Sequence, residues 1–600
     1  MTLVLVVAIP LGAGIAIALT GGRLGRRTLG VVTTAVLVAS FGAGLSMIAT
    51  LRERPSIDSL VAPWLPIPGA DLAFVVDSSM LAVALTITGV SALIALYSID
   101  YLARDRGLQR YFAAFLLLVS GMLLMVLGSN LALIIAGWEL AGVAAYLLVG
   151  HHRDHPRAGP AAFLTFVIER VGDAALVGGS LLLLSEFGTV DLAQLSGAAI
   201  EHGSMAGGAP TLASALILIG ALAKSAQAPL HGWLPESTEA TTPVSALLQA
   251  VAVTAGVVLL MRLRSILVPD VLQAAAVIGG LTAFGAAVVA VAQRDVRRVL
   301  AWSTISQVGL MFVAAGLGAL FAARFQLIAH SLLKAVLVLG AGSVRRAVGD
   351  GSDLTRYGGL LSPMRWTAGA FGIGTLALAG IPPAAGFFGI AAIVSAAYTE
   401  GDAFLTAVVL LAAAVAAFAG VRLFALLFVA PPAVVPEAHD PPPLQDIPLA
   451  LLALGSLGFG AVVSAGILPI GSGPADEAPL WLLGATFAVV LAGSIAAWLA
   501  YRGGLRPAAR IEGAIRWASG GFGTAALYSR SIAGPFAAIA RELETGAERV
   551  NEGAVDAIGG LAIRTSRAIG RADPVGPRAQ QALLLAGTVA LLAFWTWSAR

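Results

Sequence analysis

A chain of 600 residues that is 58% hydrophobic and only 12% charged is not a soluble globular protein. Its mean hydropathy of +0.90 and its repeated apolar runs of about 20 residues describe a polytopic membrane protein. The net charge of +3, with no basic patch interleaved with aromatics, argues against nucleic acid as a partner. The absence of cysteine excludes disulfides, thiolate zinc sites and Cys-ligated iron–sulfur clusters, and no P-loop or dinucleotide fingerprint is present.

The apolar runs predict an all-α fold of about sixteen transmembrane helices. In chain order they cover 2–20, 28–51, 78–98, 111–128, 130–150, 161–185, 211–228, 242–263, 269–291, 297–317, 320–343, 365–398, 403–428, 447–470, 480–501 and 581–598. The first lacks a basic flank and reads as a span rather than a signal peptide. Two segments, 211–235 and 365–398, combine an apolar helix with a proline break, at Pro229 and at Pro382-Pro383. Paired discontinuous helices mark transporters built from two inverted repeats. The organisation expected is therefore N-terminal helices and an outer loop over 1–110, a first repeat over 111–263 and a second over 269–428. Additional helices follow over 429–501. A Pro-rich loop opens that region at 429–446. Residues 502–580 are too polar to span and too periodic for a loop, so they predict an amphipathic lateral helix on the membrane surface, followed by a terminal anchor over 581–600.

Arginine sets the orientation. Loops after odd-numbered spans carry Arg23, Arg26 and Arg27, then Arg104, Arg106 and Arg110, then Arg294, Arg297 and Arg298, then Arg345 and Arg346. The opposite loops carry Asp71, Asp77, Glu186, Asp191 and Glu400, with Arg52, Arg54, Arg262, Arg264 and Arg324 as exceptions. The positive-inside rule puts these arginine-rich loops in the cytoplasm, the N-terminus outside and the lateral segment on the cytoplasmic side.

Ionisable residues inside the spans mark the chemistry, because a charge in hydrocarbon is expensive. Glu139 lies in LALIIAGWELAGVAAYLL; Arg170 and Asp173, with Glu169 beside them, lie in FLTFVIERVGDAALVGG. The chain has two lysines, Lys224 and Lys334, and both fall in apolar helices. Lysine shifts its proton affinity when buried and arginine does not, which points to proton handling. His330 shares a helical face with Lys334, four residues on. Arg170 and Asp173, three apart, are expected to pair. Glu139 is expected to be the carboxylate partner of Lys224, forming a buried pair suited to switching.

The stretches YSIDYLARD (97–105), GWELAGVAAYLLVG (137–150), ERVGD (169–173), KSAQAPLHGWLPESTEATTPVSALL (224–248), DVRRVLAWSTISQVGLMF (295–312), FQLIAHSLLKAVLVLGAGSV (325–344) and LALAGIPPAAGFF (376–388) carry a family resemblance. With them the chain resembles the antiporter-like subunits of respiratory complex I, the subunit L (subunit 5) type most of all, over about residues 75 to 430. That resemblance implies proton translocation through Glu139, Arg170, Asp173, Lys224, His330 and Lys334, driven by quinone reduction elsewhere. It implies that NADH, FMN, iron–sulfur clusters and quinone belong to partner subunits, with no cofactor and no metal held by this chain. The partners implied are other membrane subunits met through 502–580, and the location is a bacterial plasma membrane. The departures are Gln249 and Gln326 where the family usually has histidine, Ile390 where it has lysine, and Glu169 where it has asparagine. They point to a divergent paralogue with an altered second half-channel. The alternative class is a component of a multisubunit cation/proton antiporter or an inorganic-carbon uptake complex.

Overall fold

A computed structural model describes residues 1–152, 155–201, 208–349, 351–431, 438–467, 479–504 and 512–524, with isolated positions beyond. Residues Met1–Tyr528 form one compact unit and Ser529–Arg600 a second. The first helices are α1 (Thr2–Thr20), α2 (Arg26–Leu45) and α3 (Ile48–Glu53). Strands β1 (Ser56–Pro63) and β2 (Asp71–Asp77) follow, then α4 (Ser78–Tyr101). The stretch expected to be the first repeat contains α5 (Leu108–Leu127), α6 (Leu131–Val149), α7 (Ala158–Phe187), α8 (Leu192–Glu201), α9 (Gly208–Lys224), α10 (Trp233–Glu236), α11 (Thr242–Ala250) and α12 (Ala255–Arg262). The stretch expected to be the second contains α13 (Pro269–Ala292), α14 (Val296–Gly316), α15 (Leu320–Val348), α16 (Arg365–Ala379), α17 (Ala385–Thr399) and α18 (Ala403–Phe424). After them come α19 (Pro443–Ser464), α20 (Leu480–Tyr501) and α21 (Glu512–Ser519).

Each of the first fifteen expected spans falls on these helices. Twelve helical stretches are long and apolar enough to cross a membrane by length and composition. The last span, 581–598, and most of the lateral segment lie outside the described residues; α21 is the one helix described there. Both expected breaks are present, between α9 and α10 and between α16 and α17. A third interruption was not signalled by proline: the run 242–263 divides at Val251 into α11 and α12, joined by a 3₁₀ turn over Ala252–Thr254.

The segment between α3 and α4 is a β-hairpin, which hydropathy does not reveal. β1 and β2 are antiparallel, registered from Ser56↔Asp77 to Pro63↔Asp71, with a bulge between Leu60 and Ala62. Asp77 ends the hairpin and caps α4, accepting from the Met80 amide at 2.7 Å. Asn130 does the same for α6 and also donates to the Asp71 carbonyl at 2.7 Å, fixing the hairpin to the α5–α6 turn. Arg262, an exception to the charge rule, has a structural reason to lie there. Its guanidinium donates to the Met125 and Val126 carbonyls, both at 2.8 Å, and so caps the end of α5.

Two helix pairs, α5 with α6 and α13 with α14, cross at close-packed glycines. A Cβ on Gly121 would lie 2.5 Å from the Gly137 carbonyl, where α5 crosses α6, and one on Gly309 would lie 2.5 Å from the Gly279 carbonyl, where α13 crosses α14. Close backbone approach at small residues is how membrane helices gain packing without a hydrophobic driving force.

Candidate functional site

The site begins where α9 ends. Lys224 closes that helix, and Pro229 prevents its continuation. The freed backbone is satisfied locally. Trp233 Nε1 donates to the Ala223 carbonyl at 2.8 Å, and Gln227 Nε2 donates to the Ser225 carbonyl at 2.9 Å. Ser225 ties this break to the one in α11–α12: its hydroxyl donates to the Val253 carbonyl at 2.7 Å and accepts from the Gly256 amide at 2.9 Å. The two interruptions are therefore one joint, held by a single serine.

Glu139 is not the partner of Lys224, contrary to expectation. Lys224 Nζ donates to Glu169 Oε2 at 2.8 Å, with the two side chains 5% and 3% exposed. Glu139 pairs instead with Arg170 in a short contact, the two 36% and 26% exposed. The reason is helical phase. Neighbouring residues on a helix point about 100° apart, so Trp138 takes the buried face of α6 and turns Glu139 toward the rim. On α7 the same offset sends Glu169 inward to Lys224 and Arg170 outward to Glu139. The expected Arg170–Asp173 pair is present, with Nη2 and Oδ2 2.5 Å apart. Asp173 also accepts a short hydrogen bond from Trp138 Nε1, and the Trp138 ring lies 5.5 Å from Lys224 Nζ. The two ion-pair sets meet at Gly142. A Cβ there would lie 2.7 Å from Lys224 Nζ, 2.8 Å from Arg170 Nη2 and 3.1 Å from Glu169 Oε2. Three carboxylates thus face two cations, an arrangement with room for one additional proton.

The second half is polar but holds fewer charges. Lys334 is fully buried and donates to Ser303 Oγ at 2.8 Å and to the Leu300 carbonyl at 3.3 Å, with no carboxylate partner among the described residues. His330 Nε2 lies 3.1 Å from the Gln249 carbonyl, and Ser331 Oγ donates to the Ala250 carbonyl at 2.6 Å. Those are the carbonyls exposed where α11 stops. Gln249, at a departure from the family pattern, accepts from Thr304 Oγ1 at 3.0 Å, and Gln326, at another, donates to Gln307 at 2.7 Å. Ser245 Oγ, Ser306 Oγ, Gln307 Nε2, Gln326 Oε1 and His330 Nδ1 are buried without a protein hydrogen-bond partner. Ile390 is buried, and a Cβ on its neighbour Gly389 would strike Gln326 Oε1. A narrow crevice lined by Thr242, Ser245, Gln249, Arg297 and Arg345 joins the arginine-bearing ends of α14 and α15 to Gln249, with a volume of about 10 Å³, about that of one water.

Residues missed by sequence reading complete the site. Glu169 was visible as a departure from the family pattern but not as the partner of Lys224. Ser303, Thr304 and Gln307 are ordinary polar residues until α15 is placed against α14. Tyr528, within 502–580, reaches the α9 break. Its hydroxyl makes a short bond to the Pro229 carbonyl and accepts from the His231 amide at 3.2 Å. Gly232 is required beneath it, because a Cβ would lie 2.4 Å from the Tyr528 ring.

A family model described as NADH:quinone oxidoreductase/Mrp antiporter, transmembrane, matches residues 128–416. A second, described as NADH-ubiquinone oxidoreductase (complex I), chain 5 N-terminus, matches 64–112. NADH-quinone oxidoreductase subunit L of Mycobacterium tuberculosis is 39% identical over 478 residues, covering 77% of this chain and 75% of that one. The subunit L of Campylobacter jejuni is 37% identical over 401 residues, 66% of each chain. Among solved structures, a chain of the Mrp complex from Dietzia sp. shares the fold, with a TM-score of 0.70, 22% identity, and coverage of 83% of this chain and 99% of that one. The matched segments hold Glu139, Glu169, Lys224, His330 and Lys334, and with that identity over three quarters of its length the chain belongs to the subunit L/chain 5 family of antiporter-like complex I proteins.

Proposed function

We propose that this chain is a proton-translocating membrane subunit of a complex I-type NADH-quinone oxidoreductase, coupled to quinone reduction in partner subunits. The observation that carries the reading is the fully buried Lys334, an ammonium group held by a hydroxyl and a carbonyl, with no carboxylate partner among the described residues. Burying such a group unpaired costs several kcal/mol, a cost without structural return unless the proton itself is used. In the proposed cycle the Gly142 cluster takes up a proton. Loss of the Glu169–Lys224 contact changes which group holds it. The proton then passes along the polar line of Thr304, Gln249 and His330 to Lys334, with water completing the unpaired groups.

The chain itself supplies no redox centre in this reading; with no cysteine it offers no thiolate for an iron–sulfur cluster. NADH, FMN, clusters and quinone belong to partner subunits, and residues 502–580 meet the neighbouring membrane subunits. The arginine-rich loops face the cytoplasm of a bacterial cell. The cation/proton antiporter alternative shares the matched transmembrane family and the fold, whereas the full-length sequence relatives are subunits of quinone oxidoreductases.

The test is Lys224→Met in the assembled complex, with proton uptake by inverted vesicles measured beside quinone-coupled turnover. The reading expects reduced uptake per quinone reduced. Unchanged uptake and turnover in a normally assembled complex would refute the role of Lys224.

A further inference from the structure

Three metal-binding side chains converge outside the proton line. Asp105 lies on the loop between α4 and α5, and His151 and His152 follow directly after α6. Their ligand atoms all lie within 4.8 Å of one another. His152 Nε2 is 2.7 Å from Asp105 Oδ2, and the two imidazole rings have centroids 5.2 Å apart. His151 is the unusual member. The residue is only 4% exposed, yet neither ring nitrogen has a hydrogen-bond partner among the described residues. A buried polar group left unpaired is costly and calls for an explanation. The carbonyl of His151 accepts from Arg110 Nη2 at 2.9 Å, and Tyr111 packs edge-on against the ring at 5.3 Å. The backbone is thus held while both ring nitrogens stay uncommitted.

We propose that Asp105, His151 and His152 form a three-ligand site for a divalent first-row transition ion, zinc above all, that clips the α4–α5 loop to the start of the α6–α7 loop. Two imidazoles and one carboxylate are a donor set that zinc accepts, with a fourth position left for water. Magnesium and calcium prefer all-oxygen shells and are disfavoured. The trio must contract, since ligand bonds to zinc are about 2.0–2.2 Å. Rotation of the Asp105 and His152 side chains is the motion this requires. Arg110 opposes cation binding, so micromolar rather than tighter affinity is expected.

The full-length chain, purified in detergent and stripped with chelator, is titrated with zinc chloride against a chromophoric competitor. The expected result is one equivalent bound with micromolar affinity, weakened more than about ten-fold by His151→Gln and by Asp105→Asn, because even indirect changes around a metal cost that much. His439→Ala, on an exposed loop elsewhere, leaves it unchanged. Thermal melting follows the same preparations: zinc raises the midpoint of the wild type and not of His151→Gln, which separates lost binding from lost folding. Equal affinity in wild type and both variants, or no zinc uptake by a folded wild type, would overturn the assignment.

Discussion

Replacing Glu169 with glutamine should disrupt the protein more than the same change at Glu139, and chiefly the first should depend on Lys224. Glu169 and Lys224 are 3% and 5% exposed and 2.8 Å apart. Removing one partner of a buried pair leaves an uncompensated charge, at about 3–5 kcal/mol. Glu139 is 36% exposed and its partner Arg170 keeps Asp173, so its loss should cost about 1 kcal/mol or less. Double-variant cycles with Lys224→Met, read as unfolding midpoints in detergent, separate the two pairings. The coupling for 169 with 224 should be about 2 kcal/mol, the range of side chains in direct contact. For 139 with 224, linked only through Arg170, it should be about 0.5 kcal/mol or less. A coupling at 139 equal to or above that at 169 would refute the assignment of Glu169 as the partner.

Gly142→Ala places a methyl 2.7 Å from Lys224 Nζ and should cost about 1–3 kcal/mol of overpacking, with reduced proton uptake. Lys334→Met should impair uptake while leaving the melting midpoint unchanged or raised, since no carboxylate is left unpaired among the described residues. Ile390→Lys sets an ammonium group in a fully buried position with no acid beside it in the described structure, and should lower assembly on native gels rather than restore transport. Tyr528→Phe removes the hydroxyl bonded to Pro229 and His231, a loss of about 1–3 kcal/mol, and should speed proteolysis between 512 and 530.

Much of this architecture could be read from residue order because the bilayer enforces long apolar runs. Pro229 and Pro382-Pro383 announced their breaks, and Lys224, His330 and Lys334 stood out because charge in hydrocarbon is rare. What stayed hidden depends on rotation and on contacts distant in sequence. Whether Glu139 or Glu169 meets Lys224 turns on the phase of α6 and α7, which hydropathy does not encode when both helices are apolar on most faces. The interruption at Val251 carries no proline or glycine at the break itself; it is held open by Ser225, His330 and Ser331 accepting or donating from other helices. The β-hairpin at 56–77 is half exposed and lacks a clean alternation across its bulge.

The central claim is that protons cross this chain through its two buried lysines. The most direct measurement is the number of protons taken up per quinone reduced, in vesicles carrying the assembled complex, for the wild type and for Lys224→Met combined with Lys334→Met. The account predicts a lower ratio in the double variant at normal assembly. An unchanged ratio would contradict it.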